Sequence, residues 1–329
     1  MQRLRDVSLR QLRIFASAAR TLNFAKTSEE LHLTQPAVSM QIKQLDELVG
    51  LPLFERSGKR VALTHAGEEL RDCAIRMLDL LRVSEERIAA LHGLKSGRVN
   101  VGIVSTAKYF APKLLGMFKR AHEGIEVRLA LHNRASILEA LRLNTIDIAI
   151  MGQPPADMDV VACALGDHPS VIIAPLGHAL TTRSRIPVKE LAKERFLVRE
   201  NGSGTRSSMD RFFAKHGIEP QVEFEMTSNE SLKQAVMAGM GLAFISLHTI
   251  GLEYETGHLA ILDVDGLPLV RRWMVVHVKE KRLSPAAEAF RTFLLSEARG
   301  YLESHFPMSA IGGAAAASFI RTAFVRDVK

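Results

Sequence analysis

The sequence predicts an α/β protein carrying an N-terminal winged helix-turn-helix, a long linker helix, and a larger domain in which strands and helices alternate. Three observations predict it. Residues 24–49 spell two short helices meeting at a tight corner, an apolar seam repeats at spacings of four and three from Leu70 to Leu91, and beyond Gly97 short apolar runs alternate with helical stretches.

At the corner, Leu31 and Leu33 flank the turn, and Val38, Ile42, Leu45 and Val49 recur as the buried stripe of an amphipathic second helix. Thr34 stands where an N-cap belongs, and Pro36 falls in the first turn, where its missing N–H costs no bond. The opposite face offers Gln35, Ser39, Met40, Lys43 and Gln44. With Thr34 and Pro36 at its start, that face suits the major groove, which is about as wide as a helix. Helix pairs of this shape also occur in enzymes, so the neighbouring residues matter. Leu51 to Leu63 reads as two short strands around a Ser-Gly turn, a wing bearing Arg56, Lys59 and Arg60. Up to His65 the chain holds ten Lys or Arg against six Asp or Glu, an excess that attracts phosphates.

From Ala66 the pattern becomes one helix, with Leu70, Ala74, Met77, Leu81, Ser84, Ile88 and Leu91 along its seam. Such a seam either lies on the helix's own globular domain or, since it falls between two units, forms a coiled-coil dimer, the reading adopted, which sets two reading helices on matching half-sites of double-stranded DNA. His92 to Gly97 breaks the helix.

Beyond Gly97 the apolar runs Val99–Val104, Val127–Leu131, Ile146–Met151, Val171–Ala174, Phe196–Val198, Gly241–Ser246 and Trp273–Val278 predict a sheet of mostly parallel strands. Ligands of such sheets sit beyond the carboxyl ends of the strands. The candidates there are Ser105, Thr106 and Lys108; Asn133 and Arg134; Gly202, Ser203, Gly204, Thr205 and Arg206; and Asn229 with Glu230. Hydroxyls, glycines that free backbone N–H groups, and a planar guanidinium suit a phosphate or carboxylate. Capping and turn chemistry supply the same residue types at ordinary strand-to-helix junctions.

A net charge of +7 suits a nucleic-acid partner, and 47% hydrophobic residues suffice for substantial cores. With no long apolar run and no signal core after Met1, the expected location is the cytoplasm, with no membrane contact. Cys73 and Cys163 are distant and read as reduced packing residues. No catalytic motif or metal-ligand spacing is present, so neither an enzyme nor a metal site is expected. His32 and His168 read as packing or surface residues, and Trp273 as a core filler.

Leu-His-Leu-Thr-Gln-Pro-Ala-Val-Ser (31–39), Leu-Phe-Glu-Arg (53–56), Leu-Thr-His-Ala-Gly (63–67) and Lys-Gln-Ala-Val-Met-Ala-Gly-Met-Gly-Leu-Ala (233–243) carry a family resemblance. Over roughly residues 8–300 the chain resembles a LysR-type transcriptional regulator. Val-Ser-Met-Gln-Ile-Lys-Gln-Leu (38–45), Val-Ser-Thr-Ala-Lys-Tyr-Phe-Ala-Pro (104–112), Ala-Ile-Met-Gly-Gln-Pro-Pro (149–155), Gly-Ser-Gly-Thr-Arg (202–206) and Arg-Arg-Trp (271–273) are similar to the subgroup that regulates carbon-fixation (RuBisCO, Calvin cycle) operons. The resemblance implies a DNA-binding domain over 1–65, a linker helix over 66–92 and a hinge at 93–97. It further implies a periplasmic-binding-protein-like effector domain of two subdomains, 98–168 plus 271–304 and 169–270, followed by a tail over 305–329. It implies a homodimer or homotetramer that activates a divergent promoter, works with RNA polymerase, and responds to a phosphorylated Calvin-cycle metabolite or NADPH, with no resident cofactor. A regulator of another metabolic operon, or a cytoplasmic small-molecule binding protein, is the alternative.

Overall fold

The computed structural model describes residues 4–57, 60–92 and 96–306, without the side chains of Arg56, Ser57 and Arg60. It divides into two compact units, the first running through the long helix and also taking in Leu143–Thr145.

In the first unit Ser8 opens α1 (Leu9–Thr21) by a reciprocal cap. The Ser8 Oγ accepts from the Gln11 N–H, and the Gln11 Oε1 accepts from the Ser8 N–H. The corner lies between α2 (Phe24–Glu30) and α3 (Gln35–Val49). His32 takes a left-handed φ of 53° within it, a conformation that reverses the chain in few residues. Val38, Ile42 and Leu45 of α3 are buried with Phe15, Ala18 and Leu12 of α1, a helix that the sequence reading did not single out. Strands β1 (Phe54–Ser57) and β2 (Arg60–Leu63) pair antiparallel, Phe54 opposite Leu63. Phe54 receives the edges of Phe15 and Phe24, which fixes the wing to the corner.

Thr64 caps α4 (His65–Leu91). At Gly67 an added Cβ would lie 2.1 Å from the Leu53 carbonyl oxygen, so only glycine lets the helix start approach the root of the wing. The seam divides. Leu70 and Ala74 join the core of the first unit, whereas Met77, Leu80, Ile88 and Leu91 are exposed. The expected single stripe from Leu70 to Leu91 is corrected accordingly: Leu80, not the half-buried Leu81, stands on the open face.

The second unit is one mixed sheet flanked by helices. Its elements run β3 (Gly97–Val104), α5 (Ala111–Ala121), β4 (Ile125–His132), α6 (Arg134–Arg142), β5 (Ile148–Met151), β6 (Val160–Pro175), β7 (Arg195–Arg199) and α7 (Gly204–Lys215). They continue with β8 (Gln221–Met226), α8 (Asn229–Met237), β9 (Leu242–Ser246), α9 (Gly251–Glu255), β10 (Leu259–Ile261), β11 (Leu269–Val278) and α10 (Pro285–His305). The strand order is β4-β3-β5-β11-β6-β9-β7-β8, with β10 beside β6. Strands β4, β3 and β5 pair parallel, as do β8, β7 and β9. Between these halves the long strands β6 and β11 pair antiparallel from Val160 opposite Val278 to Ser170 opposite Leu269. The expectation of a mostly parallel sheet therefore fails at its middle: two parallel halves are tied by an antiparallel ribbon. Residues 99–165 and 273–302 share one core, centred on Phe110, Phe118, Trp273 and Phe290. Residues 171–264 form two others.

Candidate functional site

On α3 the Thr34 hydroxyl accepts from the Ala37 N–H, so this side chain is occupied in capping. Gln35, Pro36, Ser39, Met40, Lys43 and Gln44 are exposed. Gln44 accepts from Gln41 at 3.0 Å. Among the described residues, Gln35, Ser39 and Lys43 have no side-chain partner within the fold. A row of unspent donors and acceptors on a rigid helix is what base edges and phosphates need. Arg56 and Arg60 lie on the two strands of the wing. Lys59 lies outside the described residues.

In the second unit the loops after β3, β4 and β7 meet in a cleft. It is lined by Ser105, Thr106, Asn133, Arg134, Ser203, Gly204 and Thr205, and also by Met151, Gly152, Gln153, His168 and Arg271. Local capping positions the first set. Asn133 Oδ1 accepts from the Ser136 N–H at the start of α6, and Ser203 Oγ accepts from the Thr205 N–H at the start of α7. Gly202 holds a φ of 84°, and the Arg134 stem lies against Gly204.

The cations are unusual. Arg134 reaches only the Pro154 carbonyl oxygen, at 3.5 Å, and Arg271 reaches the Gly204 carbonyl and the Ser170 hydroxyl, each at 3.4 Å. Arg271 Nε is out of solvent and unpartnered, as is His168 Nδ1. Burial first and Arg211 second pull Arg271 down to about 10, and burial lowers Arg134 as well. Neither forms an ion pair among the described residues.

Five candidates fall outside the lining of this cleft. Lys108 pairs with Glu230 at 3.3 Å, and Glu230 accepts from Tyr109 Oη and lies 3.2 Å from Lys233. Asn229 accepts from the buried Arg199, which also binds Glu200 and reaches Ser105. Arg206 pairs with Asp210 and Glu225. Gly202 stands next to the cleft, an added Cβ there meeting Ala135 at 3.4 Å. Lys108, Arg206, Asn229 and Glu230, expected as effector ligands, have ion-pair or hydrogen-bond partners within the protein. Gln153 and Arg271 stand in segments that carried the resemblance, yet neither was named as a site residue. The sequence reads His168 as a packing or surface residue, and it is both buried and part of the cleft. A side chain at Gly152 would sit 2.7 Å from its Nδ1.

His168 stacks on Trp273 with centroids 3.8 Å apart, and Trp273 Nε1–H donates to His248 Nδ1 at 3.1 Å. Burial holds His168 far below the usual imidazole range and His248 at about 3. Both are neutral in the fold but take up protons when unfolded below about pH 6.5, so acid favours unfolding. Stability is expected to fall from pH 6.5 downward, His248 alone accounting for about 2 kcal/mol between pH 7 and pH 5. Denaturant midpoints measured across that range check it. His248→Gln, which can still accept from Trp273, flattens the slope; an equally steep slope in the variant contradicts the assignment.

Two family models match. Residues 9–68 match the bacterial regulatory helix-turn-helix protein of the lysR family, and residues 92–299 match the LysR substrate binding domain. The chain belongs to the LysR family of transcriptional regulators. It is 48% identical over 292 residues to a RuBisCO operon transcriptional regulator of Allochromatium vinosum, covering 89% of this chain and 97% of that one. It is 46% identical over 299 residues to the regulator CfxR of Cupriavidus necator, covering 91% and 94%. The regulatory domain of Synechocystis CcmR, solved in complex with 2-PG, is 38% identical with a TM-score of 0.60, covering 62% of this chain and all but a few residues of that domain (98%). As a LysR regulator the chain binds DNA through its first unit and carries a small-molecule effector domain in its second; the family is not one of enzymes. Both cysteines are free. Cys73 is exposed rather than packed, and Cys163 is half-buried. No helix among the described residues is long and apolar enough to cross a membrane.

Proposed function

We propose that this LysR regulator activates a carbon-fixation operon and that its effector is a small phosphorylated metabolite held in the cleft of Thr106, Ser203, Thr205, Arg134 and Arg271. One observation carries the effector reading: two guanidiniums converge on hydroxyls and a helix start while no carboxylate of the described residues pairs with either. The Allochromatium vinosum relative, a RuBisCO operon transcriptional regulator, supports the choice of operon, and the CcmR regulatory domain solved with 2-PG supports the effector class.

The cavity measures about 30 Å³, which suits water and not a phosphate ester, so binding one moves its walls. Those walls belong to the two subdomains, 98–168 with 271–304 and 169–270. Their separation resets the angle between them and hence the spacing of paired reading heads. The exposed Met77, Leu80, Ile88 and Leu91 are the face through which α4 meets a second copy. In this reading a dimer or tetramer presents α3 helices, with Gln35, Ser39, Met40, Lys43 and Gln44, to successive half-sites, with Arg56, Lys59 and Arg60 of each wing against the backbone, and positions RNA polymerase beside them.

A thermal-shift screen tests the effector class with 2-PG, sugar phosphates and NADPH, the other phosphate-bearing effector that the resemblance implies. A ligand at a hundredfold excess over its Kd contributes about 2.7 kcal/mol, a rise of roughly 5 °C or more for a domain of this size. No shift with any phosphate ester, alongside a shift with an uncharged or carboxylate metabolite, removes the phosphate reading.

A further inference from the structure

A second, larger recess adjoins the cleft. It encloses about 470 Å³ and is lined by Arg211, Phe212, Lys215 and His216 of α7 and its end, and by Gln153 and Arg271, which also line the cleft. Its charge is again uncompensated. Arg211 donates to Gln153 Oε1 at 2.9 Å and to Ser208 Oγ at 3.3 Å, and neither Arg211 nor Lys215 forms an ion pair among the described residues. The nearby acid that acts on Arg134, Asp157, is itself paired with Arg142. His216 Nδ1–H donates to the Phe212 carbonyl at 2.8 Å, which leaves Nε2 as the ring's other polar atom. Arg211 also works against the charge of both Arg134 and Arg271, and the one acid that acts on Arg134, Asp157, forms no ion pair with any of the three among the described residues. Like charges so arranged repel unless a ligand supplies the opposite sign. Phe212, buried beneath, gives the recess an apolar floor.

We infer that this recess is a second phosphate-binding compartment of the effector domain, with Arg211 and Lys215 its anion ligands and Arg271 and Gln153 the wall it shares with the cleft. The inference rests on the proposed reading of the cleft as a phosphate site and deepens it. The second phosphate belongs either to the far end of a bisphosphate that spans both compartments or to a separate monophosphate. Because Arg271 and Gln153 serve both compartments, filling one presets the other, which is coupling through shared side chains.

Calorimetric titration of the full-length protein with fructose 6-phosphate and fructose 1,6-bisphosphate tests it, using the wild type, Arg211→Ala/Lys215→Ala and Arg134→Ala. Both positions of the double variant are exposed and outside the cleft lining, so its fold is retained; because Gln153 loses the Arg211 donor, the readout is the ratio of bisphosphate to monophosphate affinity and the stoichiometry. One spanning molecule shows as at least tenfold tighter binding of the bisphosphate than of the monophosphate, a preference lost in the double variant. Two separate anions show as two monophosphate equivalents falling to one. If the double variant changes neither the preference nor the stoichiometry, the second compartment is overturned. If Arg134→Ala leaves monophosphate binding untouched, it is the cleft reading that fails, a separable outcome.

Discussion

Replacing Gln35 and Ser39 together by alanine is expected to lower affinity for the specific operator by roughly 100-fold or more while changing affinity for unrelated DNA less than threefold. Both side chains are exposed on α3 and have no side-chain partner among the described residues, so alanine removes no observed contact that holds the helix. Buried Val38, Ile42 and Leu45 still anchor it. Each well-made base contact is worth about 1–3 kcal/mol of discrimination, and two lost contacts multiply. Lys43→Ala is expected to behave differently, weakening specific and unspecific binding alike and flattening the salt dependence, because a phosphate contact carries no sequence information. Gel shifts on operator and scrambled duplexes at two salt concentrations separate the cases. Equal losses on both duplexes for Gln35→Ala/Ser39→Ala refute base reading by this face.

Arg271→Met is expected to lower affinity for a phosphorylated effector by roughly 150-fold or more, since removing one partner of a desolvated charge pair costs roughly 3–5 kcal/mol and about 1.4 kcal/mol is tenfold. The ligand-free protein should unfold at the same temperature or higher. In the absence of an anion Arg271 has only two long hydrogen bonds and an unpartnered Nε, so methionine of similar length relieves a desolvated charge. Operator binding without effector is unaffected, because Arg271 lies in the other unit from α3. Thr106→Leu, which fills the cleft, is expected to abolish the effector response in the same way. A melting temperature that falls with Arg271→Met while effector affinity is retained identifies Arg271 as a structural residue instead. The opposed signs of the two readouts make this a sharp test of whether the charge exists for a ligand.

The first unit was legible because its signals are local. The Thr34 cap, Pro36 in the first turn and the Val38-Ile42-Leu45 spacing lie within one segment, and the helix they predict is the helix observed. The linker helix was equally clear in extent. Its face was not, because Leu70 and Ala74 fit a coiled-coil seam as well as they fit the core of the first unit, and only tertiary packing decides between them. In the second unit the alternating runs gave α/β, but strand direction depends on partners far away in sequence. The β6–β11 ribbon joins residues about a hundred positions apart and leaves no periodicity of its own. Edge strand β8 was missed since its Val222 and Phe224 alternate with Glu223 and Glu225 and are exposed, so no continuous apolar run marks it. At the cleft, loop chemistry identified Thr106, Arg134, Ser203 and Thr205. The same chemistry could not say that Lys108, Arg206 and Glu230 would be taken up by internal ion pairs. His168 comes from the middle of a long strand and Arg271 from near the start of another, where charged or polar residues read as surface until the strand is placed beside a cavity.

The central claim is that α3 of paired protomers reads a defined DNA sequence. The most direct measurement is a footprint of the full-length protein on the region upstream of its own gene, taken over a range of salt. The account requires discrete protected half-sites spaced by whole helical turns that persist at physiological salt. Uniform protection that fades with salt and shows no preferred site contradicts it.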